Sequence, residues 1–234
     1  MVFRLPFAWC SLALLALLMG TSALASPAND DAKASGCARE VALRVQAWAD
    51  ATSGIEARFE QTTQAVALGG GAPPLATKSK GRVFFAKPGR MRWNYEEPEP
   101  SQLVSNAGEL WIYDEAAGEV QHLEATSEYL NGAALQFLMG NGKLLVNFEV
   151  RARDCESDPV ELILVPRGEA TYERLGLRVK NRSGEVVETT LEDLLGNRTR
   201  IQFFELRSDR QPSAALFDFK APEGVEVIEI RPRQ

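Results

Sequence analysis

Apolar and polar positions follow two periods along the chain. Between Ala38 and Thr52, Val41, Val45, Trp48 and Ala49 recur at helical spacing, with Leu43 off the stripe. That spacing predicts one amphipathic helix. Past it the period falls to two. Ile55, Ala57 and Phe59 alternate with Glu56, Arg58 and Glu60, which predicts a strand with one wet face over residues 55–68. Residues 69–74, three glycines followed by Ala72 and two prolines, read as a loop, and 80–86 as the returning strand. In the next strand, 90–95, Met91, Trp93 and Tyr95 share one face while Arg90, Arg92 and Asn94 share the other.

Alternation continues at 102–105, 109–113, 120–123, 147–153, 160–165, 174–181, 186–192 and 199–206. Turn signals at Asn106-Ala107-Gly108, Ala117-Gly118, Arg182-Ser183-Gly184 and Gly196-Asn197 separate many of these runs. Leu135, Leu138 and Met139 break the pattern and predict a short helix over 129–139, ending near Gly140. A further helical turn is expected over 212–216. No helix alternates with the strands, so neighbouring strands are expected to run antiparallel. A long antiparallel run curls or closes to hide its edges. The expected fold is mainly β: an incomplete, half-open antiparallel barrel of about ten to eleven strands, with a lid of short α-helices. No internal repeat and no linker divides residues 37–234, which read as a single domain.

The first 25 residues carry Arg4, then an apolar run from Leu5 to Met19, then Ala23-Leu24-Ala25 as a small-x-small cleavage site. They read as a secretory signal peptide, the alternative being an uncleaved anchor. The run falls short of the roughly 20 apolar residues that span a bilayer. Residues 26–36 are small and polar and are expected to form a mobile arm. Export would leave Cys37 and Cys155. In an oxidising compartment an even pair suggests one disulfide, and two separate thiols are the alternative.

The net charge of -6 and sequence pI near 5.1 argue against a nucleic-acid partner, which wants a basic face. Catalytic chemistry has little to work with. His122 is the only histidine; it sits on an alternating strand and reads as an exposed surface residue. One histidine cannot assemble the commoner triads or metal sites. Glu96, Glu97 and Glu99 lie in a proline-rich turn, where carboxylates ordinarily face water. Gly69–Gly71 lacks the Lys-Ser/Thr that a phosphate loop needs. No enzyme activity, metal or cofactor is expected. Aromatic side chains spread over the strands fit ordinary core packing, or the lining of a space inside a curled sheet.

Four segments then stand out in order: Phe59-Glu60-Gln61; Lys87-Pro88-Gly89-Arg90-Met91-Arg92-Trp93-Asn94-Tyr95; Leu103 to Gly108 leading into Leu110-Trp111-Ile112-Tyr113-Asp114; and Phe217-Asp218-Phe219 with Pro222-Glu223-Gly224-Val225. Together they resemble the LolA-like outer-membrane lipoprotein carriers, over nearly the whole chain after the signal. The resemblance implies a monomeric periplasmic carrier. It would hold lipoprotein acyl chains in an apolar cavity and move them from an inner-membrane ABC lipoprotein-releasing complex to an outer-membrane acceptor. Expected cavity residues are Met91, Trp93, Leu103 and Trp111 from the strands, with Phe137, Leu138 and Met139 from the lid. Many members have an arginine before the proline of the second segment that holds the lid shut. Lys87 stands there and is expected to act as the gate, through a looser set of hydrogen bonds. A carrier of another amphiphile, such as a glycolipid or pigment lipid, and a lipoprotein-sensing regulator of related fold are the alternative readings.

Overall fold

A computed structural model describes residues 27–66, 75–124 and 142–230. The expected signal peptide, the glycine loop, and the lid helix with Phe137, Leu138 and Met139 lie outside the described residues. Helix α1 runs from Pro27 to Ala51. It therefore begins well before Ala38, and residues 27–36, expected as a mobile arm, are helical. Proline suits a first helical turn, and alanines at 28, 32 and 34 propagate it. An apolar stripe signals packing against a neighbour and is silent about where a helix starts. The stripe itself is as expected: Ala38, Val41, Ala42, Val45 and Ala49 are buried, while Leu43 is 47% exposed.

Strands β1 (Gly54–Gln64), β2 (Ala76–Ala86), β3 (Arg90–Glu97), β4 (Ser101–Asn106), β5 (Glu109–Asp114) and β6 (Glu119–Glu124) follow in succession. The short helix α2 (Leu144–Asn147) precedes β7 (Phe148–Ala152), β8 (Val160–Pro166), β9 (Tyr172–Val179), β10 (Val186–Asp193) and β11 (Arg198–Arg207). A 3-10 turn at Ala214–Phe217 leads to β12 (Glu226–Ile230). Every strand predicted from alternation is present with its ends shifted by a few residues, and β12 is an addition.

The twelve strands form one open sheet in the order β12-β6-β5-β4-β3-β2-β1-β11-β10-β9-β8-β7. Neighbours are antiparallel except β12, which joins β6 in parallel. Laid flat, such a sheet would be roughly 50 Å wide at the usual strand spacing. Yet Phe148 of β7 and Ile230 of β12, on opposite edge strands, pack into the same apolar core. The sheet is therefore strongly curled, and that core fills its concave side.

Helix α1 packs on this side against β7, β8 and α2. A disulfide between Cys37 and Cys155, with Cα atoms 6.3 Å apart, fastens the helix to the chain beyond β7. Its arginine Arg44 donates to Asn181 Oδ1 at 2.8 Å, and Asn181 in turn donates to the carbonyl of Cys155 at 2.8 Å. Gln46 reaches α2, accepting the Leu144 N–H at 2.9 Å. Helix and sheet are thus joined by one covalent link and a chain of polar contacts around an apolar interface.

On the convex side, ion pairs run across neighbouring strands. Arg178 and Arg200 flank Glu188 at 3.3 and 2.7 Å, and Arg174 and Arg198 flank Glu192 at 2.8 and 3.0 Å. Glu188 is buried between its two partners, which satisfies a charge that would otherwise be costly to bury.

Candidate functional site

Strand register decides which side chains face the concave side. Directly opposed residues in an antiparallel pair lie on the same face. Trp93 is opposed by Val83 on β2 and Leu103 on β4, and Leu103 by Ile112 on β5. On the other side of β2, Val83 opposes Ala57, and Phe59 of the same strand opposes Phe203 on β11. These residues all belong to the concave core. Met91 and Trp93 are buried there; Leu103 and Ile112 are half-buried.

Trp111 is a correction to the sequence reading. It opposes Val104, one residue out of step with Leu103, so it lies on the convex face. A shift of one residue exchanges the two faces of a strand. There its ring stacks on His122 at 3.7 Å between centroids and on Phe219 at 5.5 Å. Ile112 takes the concave place expected for Trp111. Nor is His122 a freely exposed residue: its side chain is largely covered, and Nδ1 lies 3.0 Å from both carboxylate oxygens of Glu229 on β12. This contact helps hold β12 beside β6.

An aromatic cluster sits at the middle of the concave layer. Phe59 meets Trp93 edge-on at 4.7 Å and Tyr95 at 5.1 Å, although β2 lies between β1 and β3. Gly81 of β2, opposite both Phe59 and Tyr95, makes this possible. A side chain there would occupy the space in which the rings meet, and its Cβ would also collide with the Asn94 carbonyl. The Tyr95 hydroxyl donates to Gln61 Oε1 at 3.2 Å, and burial pushes its phenol pKa up, so it stays neutral.

Packed against the same concave core, Trp48 of α1, Leu103, Ile112, Leu191, Ile201 and Phe203 are apolar and only partly covered. This part of the concave layer offers dispersion contacts and few polar groups, which suits an apolar ligand of no fixed shape. Among the described residues no group of three or more His, Cys, Asp and Glu side chains is placed to hold a metal ion. Of the acidic trio only Glu99 lies in the turn, since Glu96 and Glu97 end β3; Glu97 pairs with Lys80 at 2.7 Å, Glu96 with Arg82 at 3.6 Å, and all three residues are exposed.

Lys87, in the turn between β2 and β3, touches the helical cover. Its ammonium donates to the Ala49 carbonyl in the last turn of α1, and its N–H donates to the Ser53 carbonyl at 2.9 Å. The Lys87 carbonyl accepts from Gln211 at 2.9 Å and from Arg90 at 3.2 Å. A cation at a helix C-terminus also answers the negative end of the helix dipole. Sequence reasoning found Lys87 by analogy. The partners Ala49, Ser53 and Gln211 carry no signal of their own, because two of them contribute only backbone.

On the convex side a smaller apolar group forms where the 3-10 turn crosses the sheet. Phe84, Ala86 and Phe217 are buried together with Leu216 against them. Arg92 donates to the Leu216 carbonyl at 3.0 Å, and the Arg90 guanidinium stands 5.4 Å from the Phe217 ring centre. The C-terminal segment is thereby laid across the back of β3 to β5.

The chain is similar to known proteins. The family described as "Outer membrane lipoprotein carrier protein LolA" matches residues 50–220. An outer-membrane lipoprotein carrier protein of Alkalilimnicola ehrlichii is 32% identical over 232 residues, covering 98% of this chain and 97% of its own. One from Azotobacter vinelandii is 32% identical over 180 residues, 77% of this chain and 84% of its own. Among solved structures, an uncharacterized conserved protein from Thermus thermophilus is 13% identical with a TM-score of 0.50, covering 82% of this chain and 99% of that one, a likeness of fold alone. By the family match over most of its length, this chain belongs to the outer membrane lipoprotein carrier protein LolA family.

Proposed function

We propose that this protein is a periplasmic carrier that shelters the acyl chains of lipoproteins against the concave face of its sheet. The observation that carries the reading is the half-covered apolar zone around Leu103 and Ile112, set on the concave side of a curled sheet against which α1 also packs. Membership of the carrier family supports it.

The physical need is large. Three acyl chains of about sixteen carbons contain roughly 45 methylenes, and at about 0.8 kcal/mol each their transfer into water costs on the order of 35 kcal/mol. Unaided crossing of an aqueous compartment is excluded by that magnitude. A carrier that covers its own apolar lining when empty, and exchanges that cover for chains when loaded, needs only a differential affinity between the two states. Met91, Trp93 and Leu103 are the described residues we assign to the lining, with Ile112 in place of Trp111. Lys87 is the gate, since it ties the end of the helix to the rim of the sheet. The donor of cargo is an inner-membrane ABC lipoprotein-releasing complex and the recipient an outer-membrane acceptor.

Gentle purification followed by extraction and mass spectrometry tests the reading. Triacylated lipoproteins should copurify. Recovery of a glycolipid or another free amphiphile in their place would overturn it.

A further inference from the structure

The turn between β10 and β11 holds two adjacent leucines out in water. Leu194 is 66% exposed and Leu195 79%. Turn positions ordinarily carry Gly, Asn, Asp or Ser. This turn is nevertheless firmly built. Asp193 Oδ1 accepts from the N–H of Leu195 at 2.9 Å and of Asn197 at 2.8 Å, and its Oδ2 accepts from the Asn197 side chain at 2.8 Å. The Asp193 N–H donates to the Asn197 carbonyl at 3.0 Å. Hydrogen bonding from Asn197 holds the Asp193 carboxyl below its ordinary pKa, so the acceptor is ionised at neutral pH.

The same end of the sheet carries more apolar surface. Asn197 Oδ1 accepts the N–H of Val66 at 3.0 Å, which locks the turn to the end of β1. Val66 is 47% exposed, and Leu75, whose carbonyl accepts the Ala65 N–H at 3.1 Å, is 75% exposed. Cations stand close by. Arg198 follows the turn directly and pairs with the carboxylate of Glu192, as does Arg174. Lys78 is exposed near the start of β2.

We propose that this end of the sheet docks on the surface of an anionic phospholipid bilayer, with Leu194 and Leu195 entering the acyl boundary and Arg198 and Lys78 meeting the phosphates. Apolar side chains ahead of basic ones match the layering of a membrane surface, where an anionic shell overlies hydrocarbon. A protruding turn offers no groove for a folded partner, whereas a bilayer requires none. No helix among the described residues is long and apolar enough to cross a membrane. The proposal goes beyond the carrier reading and does not depend on it, because none of these side chains belongs to the concave core.

The test is sedimentation of the chain beginning at Ser26, the form expected after export, with vesicles of phosphatidylglycerol and phosphatidylethanolamine. The parent protein should sediment with them, and more weakly with phosphatidylcholine alone. A Leu194→Ser, Leu195→Ser double variant should partition about tenfold less or lower, a loss of about 1.4 kcal/mol or more, with an unchanged circular dichroism spectrum. In Leu195→Trp, tryptophan emission should move to the blue on adding anionic vesicles. A parent protein that stays in solution, equal sedimentation of the double variant, or a tryptophan that does not respond would each overturn the proposal. So would leucine-dependent self-association or protein binding with no vesicle binding.

Discussion

The ammonium of Lys87 donates to the carbonyl oxygen of Ala49, linking the β2–β3 turn to the last turn of α1. The Ala49 carbonyl also accepts the N–H of Thr52 at 3.2 Å, and the Lys87 side chain adds a charged donor to it at the end of the helix. The surrounding bonds to Ser53, Gln211 and Arg90 use only the Lys87 backbone and survive a side-chain substitution. Lys87→Ala should therefore lower stability by about 1.5–3 kcal/mol, the range for a hydrogen bond involving a charged group. Hydrogen exchange should rise first at the C-terminal end of α1. Lys87→Arg should restore most of the loss. Unchanged exchange in the alanine variant would show that the tie does not hold the helix.

The Cys37–Cys155 disulfide joins positions 118 residues apart. A link that long removes much of the freedom of the unfolded chain and contributes up to about 5 kcal/mol in the chain-entropy picture. Reduction, or a Cys37→Ser, Cys155→Ser double variant, should lower the denaturant midpoint markedly. Titration of the native protein should find no free thiol at these positions.

Glu192 is held below the usual carboxylate range, first by hydrogen bonding to Arg174 and then by Arg198, against a partial opposing effect of burial. Its folded pKa lies below its unfolded one. Its contribution is therefore complete above the unfolded value, about 4.3, and disappears as pH falls through the lower folded value. Glu192→Gln should be less stable than the parent at pH 7, and the gap should close in acid. Urea denaturation of both proteins across that range measures it; a gap independent of pH would assign the effect to packing.

Much of this architecture follows from local pattern. On β3 the alternation of Met91, Trp93 and Tyr95 with Arg90, Arg92 and Asn94 is unambiguous, because one face is apolar and the other charged or polar. On β5, Leu110, Trp111, Ile112 and Tyr113 are apolar without a break, so alternation names no inner face. Only register with β4 separates Ile112 from Trp111, and register is a long-range property. The convex side could take an aromatic residue because Phe219, more than a hundred positions later, returns to cover it. Strand β12 escaped notice for a related reason. Its five residues include Glu226 and Glu229, and its parallel pairing with β6 arises only in the folded sheet.

The concave face itself is best tested by photo-crosslinking from single positions. A photoreactive side chain at Leu103 or Ile112 should capture a triacylated lipoprotein and fail to capture the same polypeptide without its acyl chains. The same group at Trp111, on the convex face, should capture neither. Acyl-dependent capture from Trp111 with none from Leu103 or Ile112 would contradict the assignment of cargo to the inside of the sheet.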